Sequence, residues 1–143
     1  MPAPLEDIFD DLTTHLVEAH QEGNCFEYIR QFHWMFDLAY EDGPRDLPDD
    51  LRDFRIQFMY EELKEYCDAK TREDALDALV DLVYVAVGTA YLHGFNFNEA
   101  FRRVQNANLA KVRAESADDS KRGSSYDVVK PEGWLPPFLG DLV

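Results

Sequence analysis

The chain has 143 residues, with 29 Asp and Glu set against 14 Lys and Arg, a formal charge of −15 and a pI near 4.4. That length makes one ordinary domain, able to bury a core without disulfides or structural metal. The charge disfavours duplex nucleic acid and anionic membrane as partners, and a polyanionic substrate would need bound cations to approach.

Cys25 and Cys67 lack the paired spacing of a zinc site and are too few for a disulfide framework. The start, Met1 to Asp7, lacks a basic and then apolar leader, and the longest apolar run is interrupted by Asp81. The expected location is cytoplasmic, the host cytoplasm if the chain is phage-encoded.

Leu5, Ile8, Phe9, Leu12 and Leu16 recur at helical steps and predict an amphipathic helix within residues 1–24, ended by Gly23. Core helices are expected across 25–114. The first, from about Cys25 to Tyr40, is rich in aromatics, and Gly43, Pro44 and Pro48 break the chain after it. The next opens at Asp49 as N-cap, and its stripe of Leu51, Phe54 and Phe58 runs on into Glu62 and Glu65.

Thr71 with Asp74 resembles a capping box that opens an apolar helix closed by Gly94. Asn96 and Glu99 offer another box, followed by Phe97, Ala100, Phe101, Val104 and Ala107. From Glu115 to Ser125 the chain is too polar to pack, and residues 115–143 read as a mobile loop and an extended tail with Trp134 as an anchor. No strand is expected. The architecture is an all-α antiparallel four-helix bundle in a single domain, 1–143, and the broad hydrophobicity of 78–92 suggests burial on more than one side, as at a subunit interface.

The chemistry lies in the acids. Asp81 sits inside Ala78-Leu79-Val80-Asp81-Leu82-Val83-Tyr84, where an ionised carboxylate is costly to bury unless a cation or hydrogen-bond donors receive it. Helical residues three apart differ by about 60° and four apart by about 40°, so Glu62 with Glu65, Glu61 with Glu65, and Asp77 with Asp81 each share a face. Hard oxygen donors without histidine at ligand spacing favour Mg²⁺, with Mn²⁺ able to substitute. A solvated acidic face, or an Asp bonded to a core Arg or Tyr, are the competing readings.

Glu61-Glu62-Leu63-Lys64-Glu65 followed by Asp77-Ala78-Leu79-Val80-Asp81 resembles the signature of the MazG-like all-α nucleoside triphosphate pyrophosphohydrolases, a group that includes phosphoribosyl-ATP pyrophosphohydrolase and the dimeric dUTPases. Glu62 and Glu65 match the ExxE motif and Asp81 the last residue of ExxD, while Ala78 stands where that second motif usually has Glu. Phe32-His33 with Phe36, Arg55, Val85 to Ala90, Val104 to Lys111 and Val129 to Trp134 extend the likeness over about residues 26–137, and they look most like the phage branch.

The resemblance implies hydrolysis of the α-β phosphoanhydride of a nucleoside triphosphate to the monophosphate and pyrophosphate, in a homodimer or a homotetramer built as a dimer of dimers. Glu62, Glu65, Asp77 and Asp81 are then the metal ligands for two or three Mg²⁺, and Glu61, with Glu62 as substitute, the catalytic base. His33, Arg55, Tyr84, Asn108, Lys111 and Lys130 are the substrate-binding candidates. Each has a structural alternative: core histidine, neutraliser of the acids, interface aromatic, polar cap or plain surface charge. The cluster of Phe32, His33 and Trp34 leans the base toward a purine, dGTP first, over dUTP or dCTP. Phosphoribosyl-ATP is the other substrate within the class, and an acidic DNA mimic is the alternative outside it.

Overall fold

A computed structural model describes residues 24–143. The expected helix over 1–24 lies outside the described residues. The described residues include four α-helices: α1, Cys25–Met35; α2, Asp49–Asp68; α3, Arg72–Leu92; and α4, Phe97–Leu109. The class is all-α, as the periodicity predicts. The chain divides into two compact units, one ending at Phe95 and the other spanning Asn96–Val143.

In the first unit α3 packs against both α2 and α1. α1 begins at Asn24, whose side chain accepts from the Glu27 N–H at 3.2 Å. It ends at Met35, earlier than the sequence suggests. The Leu38 N–H reaches the His33 carbonyl at 2.8 Å and the Asp37 N–H that of Trp34 at 3.3 Å, with Asp37 at φ 58. This is a Schellman closure, in which Asp37 stands where glycine is the usual signal.

α2 starts one residue earlier than expected, with Pro48 in the cap position and no side-chain capping bond. α3 opens on Thr71, which accepts from the Asp74 N–H at 3.0 Å, and it closes at Gly94 with φ 72. A Cβ at Gly94 would lie 2.7 Å from the Gly43 carbonyl oxygen, so the position needs glycine on two counts.

By length and apolarity α3 would pass for a membrane span. Its buried residues Ala78, Val85, Val87, Gly88, Tyr91 and Leu92 face α1 and α2 instead, while Asp77 and Asp81 give it an acid edge. The segment between α1 and α2 is strapped to the end of α3. Arg45 donates from Nε to the Leu92 carbonyl at 2.9 Å, and the Tyr40 N–H reaches the Tyr91 hydroxyl at 2.9 Å. Orphan helix carbonyls thereby find partners.

In the second unit Asn96 caps α4, accepting from the Glu99 N–H at 3.3 Å. The reciprocal half of the box is replaced by pairing of the Glu99 carboxylate with Arg102 and Arg103. The sequence shows no strand, yet β1, Val112–Arg113, pairs antiparallel with β2, Val128–Val129, in the register Val112 to Val129. Two residues are too few to display an alternation.

The polar stretch between these strands is held by bonds rather than packing. Asp119 accepts from the Glu115 and Ser116 N–H groups at 3.0 and 3.1 Å, and Asp127 takes the Ser120 hydroxyl at 2.7 Å and Arg122 at 2.8 Å.

Candidate active site on an acidic helix pair

Among the described residues of the first unit, Glu62 is the buried acid. It lies at 8% exposure on α2, and its Oε2 has no hydrogen-bond partner among the described residues. Burial pushes its carboxyl above the usual carboxylate range, and the charges of Glu65, Asp81, Glu61 and Asp77 push it further in the same direction. The acids singled out from their spacing therefore act on one oxygen pair, two helices contributing to the same electrostatic neighbourhood.

Asp81 was expected to be the stranded acid, and it is only half-buried. Its neighbours Leu79, Val80 and Val83 are themselves exposed, so the apolarity of that run does not report burial in a single chain. Glu65, Asp77 and Glu61 are exposed, and Glu61 Oε1 accepts from Gln57 Nε2 at 3.1 Å. Ala78, at the position where the related motif carries Glu, is 2% exposed and gives a methyl to the core, so no fourth ligand comes from there.

Among the described residues, no three His, Cys, Asp or Glu side chains stand at the spacing of a metal cage. The expected ligand set is thus gathered as a field of charge and not as a preformed cage, as repulsion among like carboxylates would have it. The donor chemistry still suits a hard divalent cation. An orphaned, desolvated carboxylate oxygen surrounded by further carboxylates is a site whose charge a cation would offset.

Arg55 does not pair with the acids. It is buried at 8% exposure, donating from Nε to Thr89 Oγ1 at 3.1 Å and from Nη2 to the Val85 carbonyl at 2.8 Å, with Phe58 beneath its guanidinium. Both polar partners belong to α3, so the side chain braces two helices. His33 is likewise a core residue, with Nδ1 against the Ile29 carbonyl at 2.8 Å and its ring 4.7 Å from that of Tyr91. Burial, followed by the nearby Arg55 charge, holds its imidazole below the ordinary value despite the opposing bond to Ile29.

The anticipated aromatic wall is not assembled. Consecutive helical residues point about 100° apart, and so His33 faces inward while Trp34 is 62% exposed. Phe32 meets the His33 ring edge-on at 5.5 Å and the Tyr84 ring edge-on at 5.4 Å, so it is Trp34 that stands apart. Tyr84 also lines an apolar cleft of about 480 Å³ with Tyr28, Ile29, Leu79, Val80 and Val83.

The remaining candidates lie in the second unit. Asn108 is exposed near the end of α4, and Lys111 falls beyond the helix, its N–H bonded to the Asn108 carbonyl at 3.1 Å. Lys111 and Lys130 both approach the Trp134 ring.

Sequence reasoning missed Gly88. A Cβ there would sit 2.7 Å from Arg55 Nη2 and 3.2 Å from His33 Cε1. A glycine inside an otherwise unbroken helical run was the available signal.

A model of the phosphoribosyl-ATP pyrophosphohydrolase family matches residues 29–108, more than half of the chain. The match covers α1 from Ile29, all of α2 and α3 and most of α4, and includes Glu61, Glu62, Glu65, Asp77 and Asp81. No curated protein matches.

Proposed function

The chain belongs to the phosphoribosyl-ATP pyrophosphohydrolase family, within the MazG-like all-α pyrophosphohydrolases, and on that premise we propose that it is a Mg²⁺-dependent nucleoside triphosphate pyrophosphohydrolase. The observation that carries this reading is the buried, unpartnered Glu62 oxygen under the charge of Glu65, Asp81, Glu61 and Asp77. Members of the family are typically dependent on divalent metal.

Glu62, Glu65 and Asp81, with Asp77 at the margin, would hold the ions. A bound divalent cation would supply charge compensation for the phosphates and ease deprotonation of the attacking water. Glu61 accepts a proton from the attacking water. Its exposure and its neutral Gln57 partner leave the second carboxylate oxygen open to that proton. The new bond forms at the α-phosphorus, and the bond to the α-β bridging oxygen breaks, releasing pyrophosphate.

On the substrate side, Tyr84 and its apolar cleft offer a surface for sugar or base. Asn108, Lys111 and Lys130 are the remaining polar candidates, whereas His33 and Arg55 are assigned to the core. The substrate class is a deoxynucleoside or ribonucleoside triphosphate, with dGTP the first to try, in a role shaping the deoxynucleotide pool. The matched family's own description favours phosphoribosyl-ATP as the second reading.

Pyrophosphate release measured across dNTPs, NTPs and phosphoribosyl-ATP, with the monophosphate identified, tests the assignment. Stoichiometric monophosphate and pyrophosphate from one or more nucleotides is expected. Orthophosphate as the first product, or no turnover on any of them, would refute it.

A further inference from the structure

Two lysines converge on one indole in the C-terminal unit. Lys111 Nζ lies 5.4 Å and Lys130 Nζ 4.8 Å from the centroid of the Trp134 ring. The indole is itself fixed, because Nε1 donates to the Ala107 carbonyl at 2.7 Å in the last turn of α4. Its backbone N–H closes a turn onto the Pro131 carbonyl at 3.1 Å, with Gly133 at φ 77.

Among the described residues, neither lysine forms an ion pair with a carboxylate, although acids outnumber bases two to one in this chain. The arginines of the same unit behave differently. Arg102 and Arg103 are paired with Glu99, Arg103 also with Asp141, and Arg122 with Asp127.

An ammonium over an indole face is attracted by the ring quadrupole. The ring accepts no conventional hydrogen bond, so the N–H donors remain available to another group. Two cations held at one ring raise the local positive potential, which a bound anion would offset, and lysine serves phosphate as a mobile point charge.

We propose that Lys111 and Lys130 form a polyphosphate clamp whose positioning residue is Trp134, the indole holding both ammonium groups ready for one anion. The clamp deepens the proposed function, on which rests only its assignment to the phosphate tail of a nucleotide. A free polyphosphate offers the same oxygens, and the test separates the two sources.

Trp34 and Trp134 are the chain's two tryptophans, so the full chain carrying Trp34→Phe reports on Trp134 alone by its emission. It is titrated at low salt in EDTA with tripolyphosphate, dGTP and dGMP. Saturable binding of tripolyphosphate is expected, with Lys111→Met and Lys130→Met each weakening it by about tenfold. If dGTP matches tripolyphosphate in lysine dependence and dGMP does not, a nucleotide tail is a ligand. If only tripolyphosphate binds, the clamp serves free polyphosphate.

Calorimetry on Trp134→Phe, which keeps a ring, should stay within about threefold of wild type, while Trp134→Leu should fall with the lysine variants. No saturable binding, or wild-type binding in both lysine variants, overturns the clamp. Equal binding by the Phe and Leu variants overturns the role of the ring. Lysine-dependent tripolyphosphate binding without any nucleotide turnover would leave the clamp standing and remove the proposed activity. Turnover with an unchanged KM in both lysine variants would leave the activity standing and remove the nucleotide tail from the clamp's ligands.

Discussion

Arg55 Nη2 donates to the Val85 carbonyl at 2.8 Å, tying α2 to α3 through a cation that no carboxylate among the described residues neutralises. The Thr89 hydroxyl donates to the same carbonyl at 2.7 Å and accepts from Arg55 Nε, completing a three-residue brace. Arg55 lies two turns before Glu62, and Val85 one turn after Asp81. The brace therefore sets the register in which the two acid-bearing helices face each other.

Lysine cannot span both acceptors with one planar fork, so Arg55→Lys should lower stability by about 1–3 kcal/mol. Because Arg55 is placed in the core and not against substrate, the KM for nucleotide should change less than twofold once the variant is assayed below its melting temperature. Urea unfolding and steady-state kinetics check the two halves. A large rise in KM with unaltered stability would restore the phosphate-contact role.

At Gly88 two effects oppose each other. Alanine gains about 1 kcal/mol of helix propensity, but its Cβ would lie 2.7 Å from Arg55 Nη2. An arginine end is ordinarily free to move. Here it is pinned to Val85, and displacing it forfeits a charge-assisted bond of about 1.5–3 kcal/mol. Gly88→Ala should therefore destabilise by about 1–2 kcal/mol, and thermal melts in which it proves more stable than wild type would show the brace to be slack.

Glu62→Gln removes a buried charge that has no partner on one oxygen. In EDTA at neutral pH the variant should melt about 2–5 °C above wild type. Added Mg²⁺ should raise the wild-type midpoint and leave the variant's unmoved, by linkage of binding to folding. Pyrophosphate release should be lost. Differential scanning with and without Mg²⁺ reads all of these shifts, and a Mg²⁺ response equal in the two proteins would remove Glu62 from the ligand set.

Glu99 is held at about 2 by hydrogen bonds from Arg102 and then Arg103, against an ordinary 4.5. A depressed carboxyl contributes stability that is present above the ordinary value and is lost as pH falls toward the folded one. The second unit should thus lose stability progressively between pH 4.5 and about 2. Glu99→Gln should remove that part of the acid dependence. Carbon-13 detection of the Glu99 carboxyl checks it, and titration near 4.5 would contradict it.

Helix periodicity and the acid spacing were legible because they are local. Glu62 with Glu65, and Asp77 with Asp81, share a helix face by residue counting, and Gly94 announces its turn. What was not legible depends on partners distant in sequence. Nothing near Arg55 distinguishes a brace onto Val85 from a phosphate contact. The Schellman closure at Asp37 uses a residue that only tolerates the left-handed region. The burial of Glu62 in place of Asp81 is decided by which side of α3 meets α2, and a helix apolar on most sides does not declare that in its pattern. Lys111 and Lys130 meet on Trp134 only because a two-residue ladder returns the chain.

The central claim is that the Glu62-centred acid face supports metal-dependent pyrophosphate release. The most direct measurement is the rate of pyrophosphate formation from dGTP, or from whichever nucleotide the panel selects, across a Mg²⁺ titration of wild type and Asp81→Asn. The account predicts saturable activation in wild type, and at least a hundredfold loss, on the order of 3 kcal/mol of barrier, in the variant with its fold intact. Turnover in EDTA, or an Asp81→Asn protein with the wild-type rate and Mg²⁺ dependence, would contradict it.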